Sequence, residues 1–277
     1  MQKVANIFTY FKTELSNKFD DREISSLTYL SINHVLGFSR SDCIIRGNKE
    51  LTEGTKNQFI QIVGQLKIDK PIQYILGKTE FYGLTFEVNE NVLIPRRETE
   101  ELIVWILQSS FNSALDIGTG SGCVAIALAK NTQARISAID VSEQALRIAE
   151  KNAKMNEVEI NFLQKDILKT TSLSKVDLIV SNPPYVLDKE KREIQKNVLS
   201  YEPHLAIFVS DSSPLVFYKK IGQLATKYLN SNGQLFFEVN EKYAQEIITL
   251  LIDLGFVNIE LKKDINDKDR MIKAVWK

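Results

Sequence analysis

Asn182-Pro183-Pro184-Tyr185 follows an apolar run, Val176 to Val180, that reads as a buried strand. An Asn, a Tyr and two prolines at the carboxyl end of a strand suit the holding of a planar, weakly nucleophilic –NH2 group. The Asn182 side-chain oxygen accepts one N–H. Each X-Pro bond pushes the residue before it toward extended backbone, which restricts Asn182 and Pro183 and turns carbonyl oxygens outward as further acceptors. Tyr185 offers a flat ring on which an amide or a base stacks. A plain turn after a strand has the same composition, so these four residues need company before they mean chemistry.

That company begins with Asp116-Ile117-Gly118-Thr119-Gly120-Ser121-Gly122, which ends a strand and runs straight into a helical pattern. Glycines there let a backbone approach a ligand and present N–H groups at a helix N-terminus. The dinucleotide fingerprint needs a sixth-place Gly counted from Gly118, and Cys123 stands there instead. The spacing is G-x-G-x-G, which suits a nucleoside cofactor better than a pyrophosphate-linked one. Asp140 closes the next strand, where an acid accepts hydrogen bonds from ribose hydroxyls. Asp166, after the third strand, either meets an adenine amino group or caps its own turn. Taken singly, the glycines also suit a tight turn with no ligand, and Asp140 an N-cap or a solvated turn acid. Together with Asn182–Tyr185 they stand at carboxyl ends of one expected sheet, where ligands bind in open α/β folds.

The elements that must position these residues alternate. Strands are expected at Ala114–Ile117, Ile136–Ile139, Ile160–Leu163, Val176–Val180 and Gln234–Val239, with helices at 123–130, 143–155, 214–229 and 242–254. This rhythm predicts an α/β fold with a parallel sheet covered on both faces. Two further β-like runs, 257–261 and 272–276, predict a closing hairpin and a C-terminal antiparallel strand. Upstream, Val4, Ile7, Phe8, Phe11 and Leu15 form a helical stripe; Ile24, Leu27, Leu30 and Val35 a second; Phe59, Ile62, Val63 and Leu66 a third. Between these helices and the sheet, 80–88 with 92–94 predicts a β-hairpin linker closing at Asn89-Glu90-Asn91. Glu98 to Gln108 is expected to be helical.

Lys and Arg number 35 and Asp and Glu 35, which argues against a partner held mainly through a broad phosphate surface. Direct nucleic-acid binding is not expected. The helical N-terminal region carries ten basic against eight acidic residues through Lys70, a balance that suits a bundle rather than a nucleic-acid arm. Cys43 and Cys123 form no disulfide framework or metal cluster, in keeping with a reducing cytoplasm, and no metal is expected. Charges interrupt the first nineteen residues, so no signal peptide is expected, and no apolar run is long enough for a membrane span.

Taken together these residues resemble the class I S-adenosylmethionine-dependent methyltransferases. More narrowly, the chain is similar to the release-factor glutamine methyltransferases, the HemK/PrmC family. The family-specific elements are Pro71-Ile72-Gln73-Tyr74-Ile75-Leu76-Gly77, Phe81-Tyr82-Gly83, Leu93-Ile94-Pro95-Arg96, Glu98-Thr99-Glu100 and Tyr201-Glu202-Pro203. The glycine loop marks the superfamily alone, and Asn-Pro-Pro-Tyr is shared with enzymes that methylate amino groups of DNA. The resemblance implies a Rossmann-like sheet at 98–277, a partner-binding helical bundle at 1–75 and a linker at 76–97.

It also implies methyl transfer from S-adenosylmethionine to the side-chain amide nitrogen of the Gln in the Gly-Gly-Gln loop of class-1 peptide release factors. Asn182, Pro183, Pro184 and Tyr185 would hold that amide, with Asn182, Pro183 and Tyr185 catalytic. Gly118, Thr119, Gly120, Ser121, Gly122, Asp140, Asp166, Ile167 and Asn182 would hold the cofactor. A nucleobase amino group, adenine N6 or guanine N2, is the alternative target of the same clamp. The chain departs from the family pattern at Arg97, at Asn240 after the Phe237-Glu238-Val239 strand, and at Asp267 in the terminal Asp264–Arg270 element. Lys189–Glu193 reads as a solvated helix face or as a loop that touches substrate.

Overall fold

The computed structural model describes all 277 residues. They form two compact units, Met1–Gly77 with Gln195–Tyr201, and Lys78–Ile194 with Glu202–Lys277.

The first unit is helical: α1 (Ala5–Leu15), α2 (Asp21–Leu36), α3 (Arg40–Ile45), α4 (Glu53–Lys67) and α5 (Ile72–Leu76). Its core takes Ile7, Phe11 and Leu15 from α1, Ile24, Leu27 and Ile32 from α2, and the whole expected stripe of α4, Phe59 to Leu66. Each such side chain contributes roughly 1.5–3 kcal/mol through burial. Leu30, assigned to the stripe of α2, instead faces outward at 48% exposure; Thr28 and Ser31 are the buried neighbours. Their hydroxyls satisfy themselves on the carbonyls of Ile24 and Leu27, both at 2.7 Å, which lets polar side chains occupy the inner face. Two short helices, α3 and α5, were not expected. Ser39 and Asp42 make a reciprocal capping box for α3, and Pro71 serves as the N-cap of α5. Tyr201 closes the segment 195–201 onto this unit by donating its hydroxyl to the Ile68 carbonyl at 2.9 Å.

The second unit begins with a hairpin, β1 (Lys78–Phe81) and β2 (Leu84–Glu87). Its turn lies at Tyr82-Gly83, not at Asn89–Asn91, and 92–94 is not a strand. Tyr82 at φ 50° and Gly83 at φ 71° give the two left-handed residues that a two-residue hairpin loop requires. The alternation that runs through 80–88 conceals this turn, because Tyr82 continues the β-former composition.

The remainder is α6 (Arg97–Ile106), β3 (Ser113–Ile117), α7 (Cys123–Asn131), β4 (Arg135–Asp140), α8 (Glu143–Met155), β5 (Asn161–Gln164), β6 (Val176–Ser181), β7 (Val186–Leu187), α9 (Lys196–Tyr201, of the first unit), α10 (His204–Ile207), β8 (Phe208–Val209), α11 (Val216–Tyr228), β9 (Leu229–Glu238), α12 (Ala244–Asp253), β10 (Val257–Lys263) and β11 (Asp269–Val275). Seven strands form one sheet in the order β10-β11-β9-β6-β3-β4-β5. The pairs from β9 to β5 are parallel, and β11 pairs antiparallel with both β9 and β10. One core packs β3, β6 and β9 residues against α6 and α7, with Ala138 of β4; the other face packs against α11 and α12. The chain runs outward from β3 to β5 and then returns to β6 on the opposite side of β3. That reversal opens the crevice at the carboxyl ends of β3, β4 and β6. No helix is long and apolar enough to cross a membrane.

Candidate active site

Three strand ends meet at this crevice. Ser181, the last residue of β6, donates its hydroxyl to the Ile117 carbonyl at the end of β3, at 2.7 Å. This bond ties the start of Asn182–Tyr185 directly to the start of the glycine loop. Gly118 and Gly120 take φ 75° and φ 55°, and a Cβ on either would meet no atom within 4 Å. The space in front of both is open, a cradle that side chains would fill. The loop amides, in contrast, are largely occupied within the protein. Gly118 and Thr119 N–H groups donate to the Ile139 carbonyl, Gly120 N–H to Asp140, and Gly122 N–H to the Thr119 carbonyl. The loop therefore does not offer the array of free amides that the sequence suggested. It receives a ligand by close approach, which suits a nucleoside better than a phosphate chain.

Gly122 has a different task. It does not line the crevice. A Cβ there would lie 3.0 Å from Ile126 Cδ1, 3.1 Å from Ala149 Cβ and 3.3 Å from Ala149 Cα, so the glycine lets α7 and α8 approach. Its φ of 82° adds strain to any other residue. Gly122→Ala is expected to destabilise the protein by about 1–3 kcal/mol, read from denaturant midpoints. An unchanged midpoint would show that the helix contact gives way freely. Asn152 of α8 braces the same region, donating to the Ser121 carbonyl at 2.9 Å and exchanging bonds with the Glu87 backbone of the hairpin.

Two acids flank the loop. Asp140 accepts from Gly120 N–H and Ser142 N–H, each at 2.9 Å. Burial raises its pKa, and these amide donors oppose the rise. Asp116 is 2% exposed and accepts the Thr119 hydroxyl at 2.6 Å. Burial pushes its pKa up to about 7, and the charge of Asp140 pushes the same way. The folded chain thus holds a proton on Asp116 between the ordinary value of 3.8 and about 7, where the unfolded chain has released it. The stability contributed by that proton is complete below the lower value and disappears as pH rises through the upper one. Asp116→Asn is expected to flatten this part of the melting temperature–pH profile. Identical pH slopes for the variant and the unmodified protein would contradict it.

The crevice is a cavity of about 290 Å³ walled by Gly118, Thr119, Gly120, Ser121, Asp140, Asp166, Ile167, Asn182, Pro183 and Pro184, among others. Most of the expected site residues are therefore brought together. Asp166 caps its own turn, accepting from Leu168 N–H at 3.0 Å and pairing with Lys169, while also reaching the cavity wall. Tyr185 is placed differently from the expectation. It does not line the cavity; its ring packs into the core on the α11 side, and its hydroxyl donates to Glu238 at 3.2 Å. Burial and the Glu238 carboxylate raise its pKa well above the ordinary phenol value, so it remains a donor.

Glu238 was given no site role from the sequence, and the contacts of several residues named there were not foreseen. Glu238, 2% exposed at the end of β9, accepts from Tyr185 and, at 2.6 Å, from the Thr99 hydroxyl. Burial raises the Glu238 pKa, opposed by Thr99, Arg270 and Tyr185. Arg270 pairs with Asp264 at 3.1 Å and donates to the Val239 carbonyl, which gives the terminal Asp264–Arg270 element its place beneath the site. Asp267, where the family has Gly, sits at φ 61°, a conformation that Asp tolerates better than most residues. Asn240 donates to the Tyr185 carbonyl at 3.4 Å. Arg96 lines the cavity and pairs at 2.6 Å with Glu202, which is 4% exposed, so the Pro-Arg and Tyr-Glu-Pro elements meet. The Lys189–Glu193 segment lies in a 3-10 turn that is solvated at Lys189, Arg192 and Glu193, while Glu190 is buried and accepts from Lys242 at 2.5 Å. An acid closing the strand beside β6 was the available signal for Glu238; nothing local pairs it with Thr99 or Tyr185.

Comparison with known proteins agrees with this geometry. Residues 98–204 match the methyltransferase small domain, and residues 8–77 match the PrmC N-terminal domain. A release factor glutamine methyltransferase of Flavobacterium psychrophilum is 50% identical over 98% of both chains. Its counterpart in Bacteroides thetaiotaomicron is 38% identical over 97% of this chain and 98% of its own. Among solved structures, a methyltransferase from Pyrococcus furiosus has the same fold, with a TM-score of 0.54 at 18% identity over 81% of this chain and 98% of its own. At such identity and coverage of the two bacterial relatives, the chain belongs to the release factor glutamine methyltransferase family.

Proposed function

We propose that the protein transfers a methyl group from S-adenosylmethionine to the side-chain amide nitrogen of the Gln in the Gly-Gly-Gln loop of class-1 peptide release factors. The observation that carries this reading is the adjacency of Asn182-Pro183 to the open glycine cradle within one cavity, in a chain whose relatives are named for that reaction. The cofactor fits the residues present. Gly118 and Gly120 leave space for its amino-acid part, Asp140 serves its ribose, and Asp166 and Ile167 form the wall for its adenine. When bound, it supplies a methyl group on a positively charged sulfur.

The chain's task is alignment. An amide nitrogen is a poor nucleophile because its lone pair is delocalised into the carbonyl. The Asn182 side-chain oxygen and the Pro183 carbonyl accept the two amide hydrogens, which directs the remaining face of the nitrogen toward the donor and favours its lone-pair-bearing form. That is catalysis by orientation, the kind of assistance that near-attack geometry supplies. No strong base is required beforehand, since the methylated nitrogen loses its proton afterward. Pro184 closes the wall beside the target, and Tyr185 anchors the clamp from behind through Glu238. The reading places the protein in the cytoplasm, where its partner works.

Mass spectrometry of release factors co-expressed with and without this protein tests the reading. A mass gain of one methyl on the Gly-Gly-Gln peptide is expected only with the protein. A nucleobase target is not favoured by the full-length relatives. Unmodified release factors, with methylated DNA in the same cells, would reverse the choice.

A further inference from the structure

We infer that Thr99 is a positioning residue whose hydroxyl fixes the Asn182 carboxamide with its oxygen toward the target amide and its nitrogen away from it. This deepens the role proposed for Asn182 and rests on that reading.

The difficulty it solves is one of symmetry. A carboxamide has nearly the same shape either way round, and only hydrogen-bond partners decide which end faces where. Reversed, Asn182 would point its –NH2 at the target –NH2, donor against donor. The prolines restrain the backbone of this segment and leave the side-chain flip free.

Thr99 lies in the first turn of α6, 3% exposed, and Asn182 Nδ2 is 3.5 Å from its Oγ1. A hydroxyl has one proton to give. At 2.6 Å from Glu238 Oε2, that proton is given to the Glu238 carboxyl group, whose other oxygen accepts from Tyr185. The Thr99 oxygen is then only an acceptor, so it selects the nitrogen end of Asn182. The polarity runs in one direction, from Asn182 to Thr99 to Glu238.

Glu238 is itself fixed. Its other carboxylate oxygen accepts from Tyr185, and its main-chain carbonyl accepts the Tyr218 hydroxyl at 3.1 Å. Burial acts most strongly on its charge and opposes ionisation, as does Glu98 of α6, while the Thr99 hydroxyl, Arg270 of β11 and the Tyr185 hydroxyl favour the ionised form. Elements of β9, β11, α6 and α11 thus converge on one hydroxyl that bonds Glu238 on one side and receives the Asn182 amide on the other.

The test compares Thr99→Val and Thr99→Ser with the unmodified protein, with two readouts. In steady state with release factor, Thr99→Val is expected to lower kcat about 10- to 100-fold, while KM and cofactor affinity by calorimetry stay within about twofold. Thr99→Ser, which keeps the hydroxyl, restores kcat. In nitrogen-15 NMR of the protein without cofactor, the Asn182 side-chain –NH2 signal, identified by its loss in Asn182→Asp, shifts and exchanges faster with water in Thr99→Val and returns in Thr99→Ser. An unshifted Asn182 signal, or a Val variant whose loss lies equally in cofactor affinity, overturns the inference. If the Val protein does not fold, a Ser variant with a displaced Asn182 signal overturns it equally. Absence of release-factor methylation by the unmodified protein would instead defeat the proposed substrate, and the NMR comparison would still decide the role of Thr99.

Discussion

Asn182→Ala is expected to reduce methyl transfer to release factor by about 100- to 1,000-fold, the scale of losing one well-placed charge-directing group from a preorganised site. The substitution removes the acceptor that orients the target nitrogen. It leaves the Pro183 carbonyl, the glycine cradle and Asp140 where they are, because none of them hydrogen-bonds the Asn182 side chain. Cofactor affinity by calorimetry is therefore expected to stay within about threefold, and the loss to appear in kcat. Single-turnover methylation at saturating cofactor measures the chemical step directly. Turnover near that of the unmodified protein would remove Asn182 from the clamp. A parallel collapse of cofactor binding would move its role to the other half of the cavity.

Much of this site was legible because its chemistry is local in the chain. Gly118, Gly120, Asp140 and Asn182-Pro183 each stand within a few residues of a strand end, and strand ends are marked by apolar runs that the sequence displays. Asp140 is the instructive case: it holds Ser142 and Gly120 N–H groups as a turn acid would, and the same acid lines the cavity. The contacts that hold the site from behind were not legible, because they span long separations. Thr99 and Glu238 are 139 residues apart, and Arg96 and Glu202 are 106 apart. No periodicity links such pairs; the packing of α6 against β9 brings Thr99 to Glu238, and only the folded chain brings Arg96 to Glu202. Tyr185 shows the same limit. Its type suggested stacking, whereas a buried carboxylate within reach of its hydroxyl turned the ring inward. The misplaced hairpin turn has a local cause: Tyr82 is a strand former that here adopts a left-handed backbone beside Gly83.

Asp140→Ala is expected to weaken S-adenosylmethionine binding by about 100-fold, through two effects that act together. The carboxylate is the acceptor proposed for the ribose hydroxyls, and a hydrogen bond to a charged group contributes roughly 1.5–3 kcal/mol. It also holds the Gly120 N–H, so its removal loosens the loop that forms the cradle. Asp140→Asn separates the two. One amide oxygen remains to accept from the loop, while half of the acceptor capacity and all of the charge are lost, so an intermediate weakening of about tenfold is expected. The target clamp follows β6 rather than β4, and kcat at saturating cofactor should change far less than affinity does. Calorimetry on the three proteins orders them. Equal affinity for all three would take the ribose contact away from Asp140. Equal weakening of Asn and Ala variants would assign the effect to the charge of the carboxylate, with the loop contact contributing nothing.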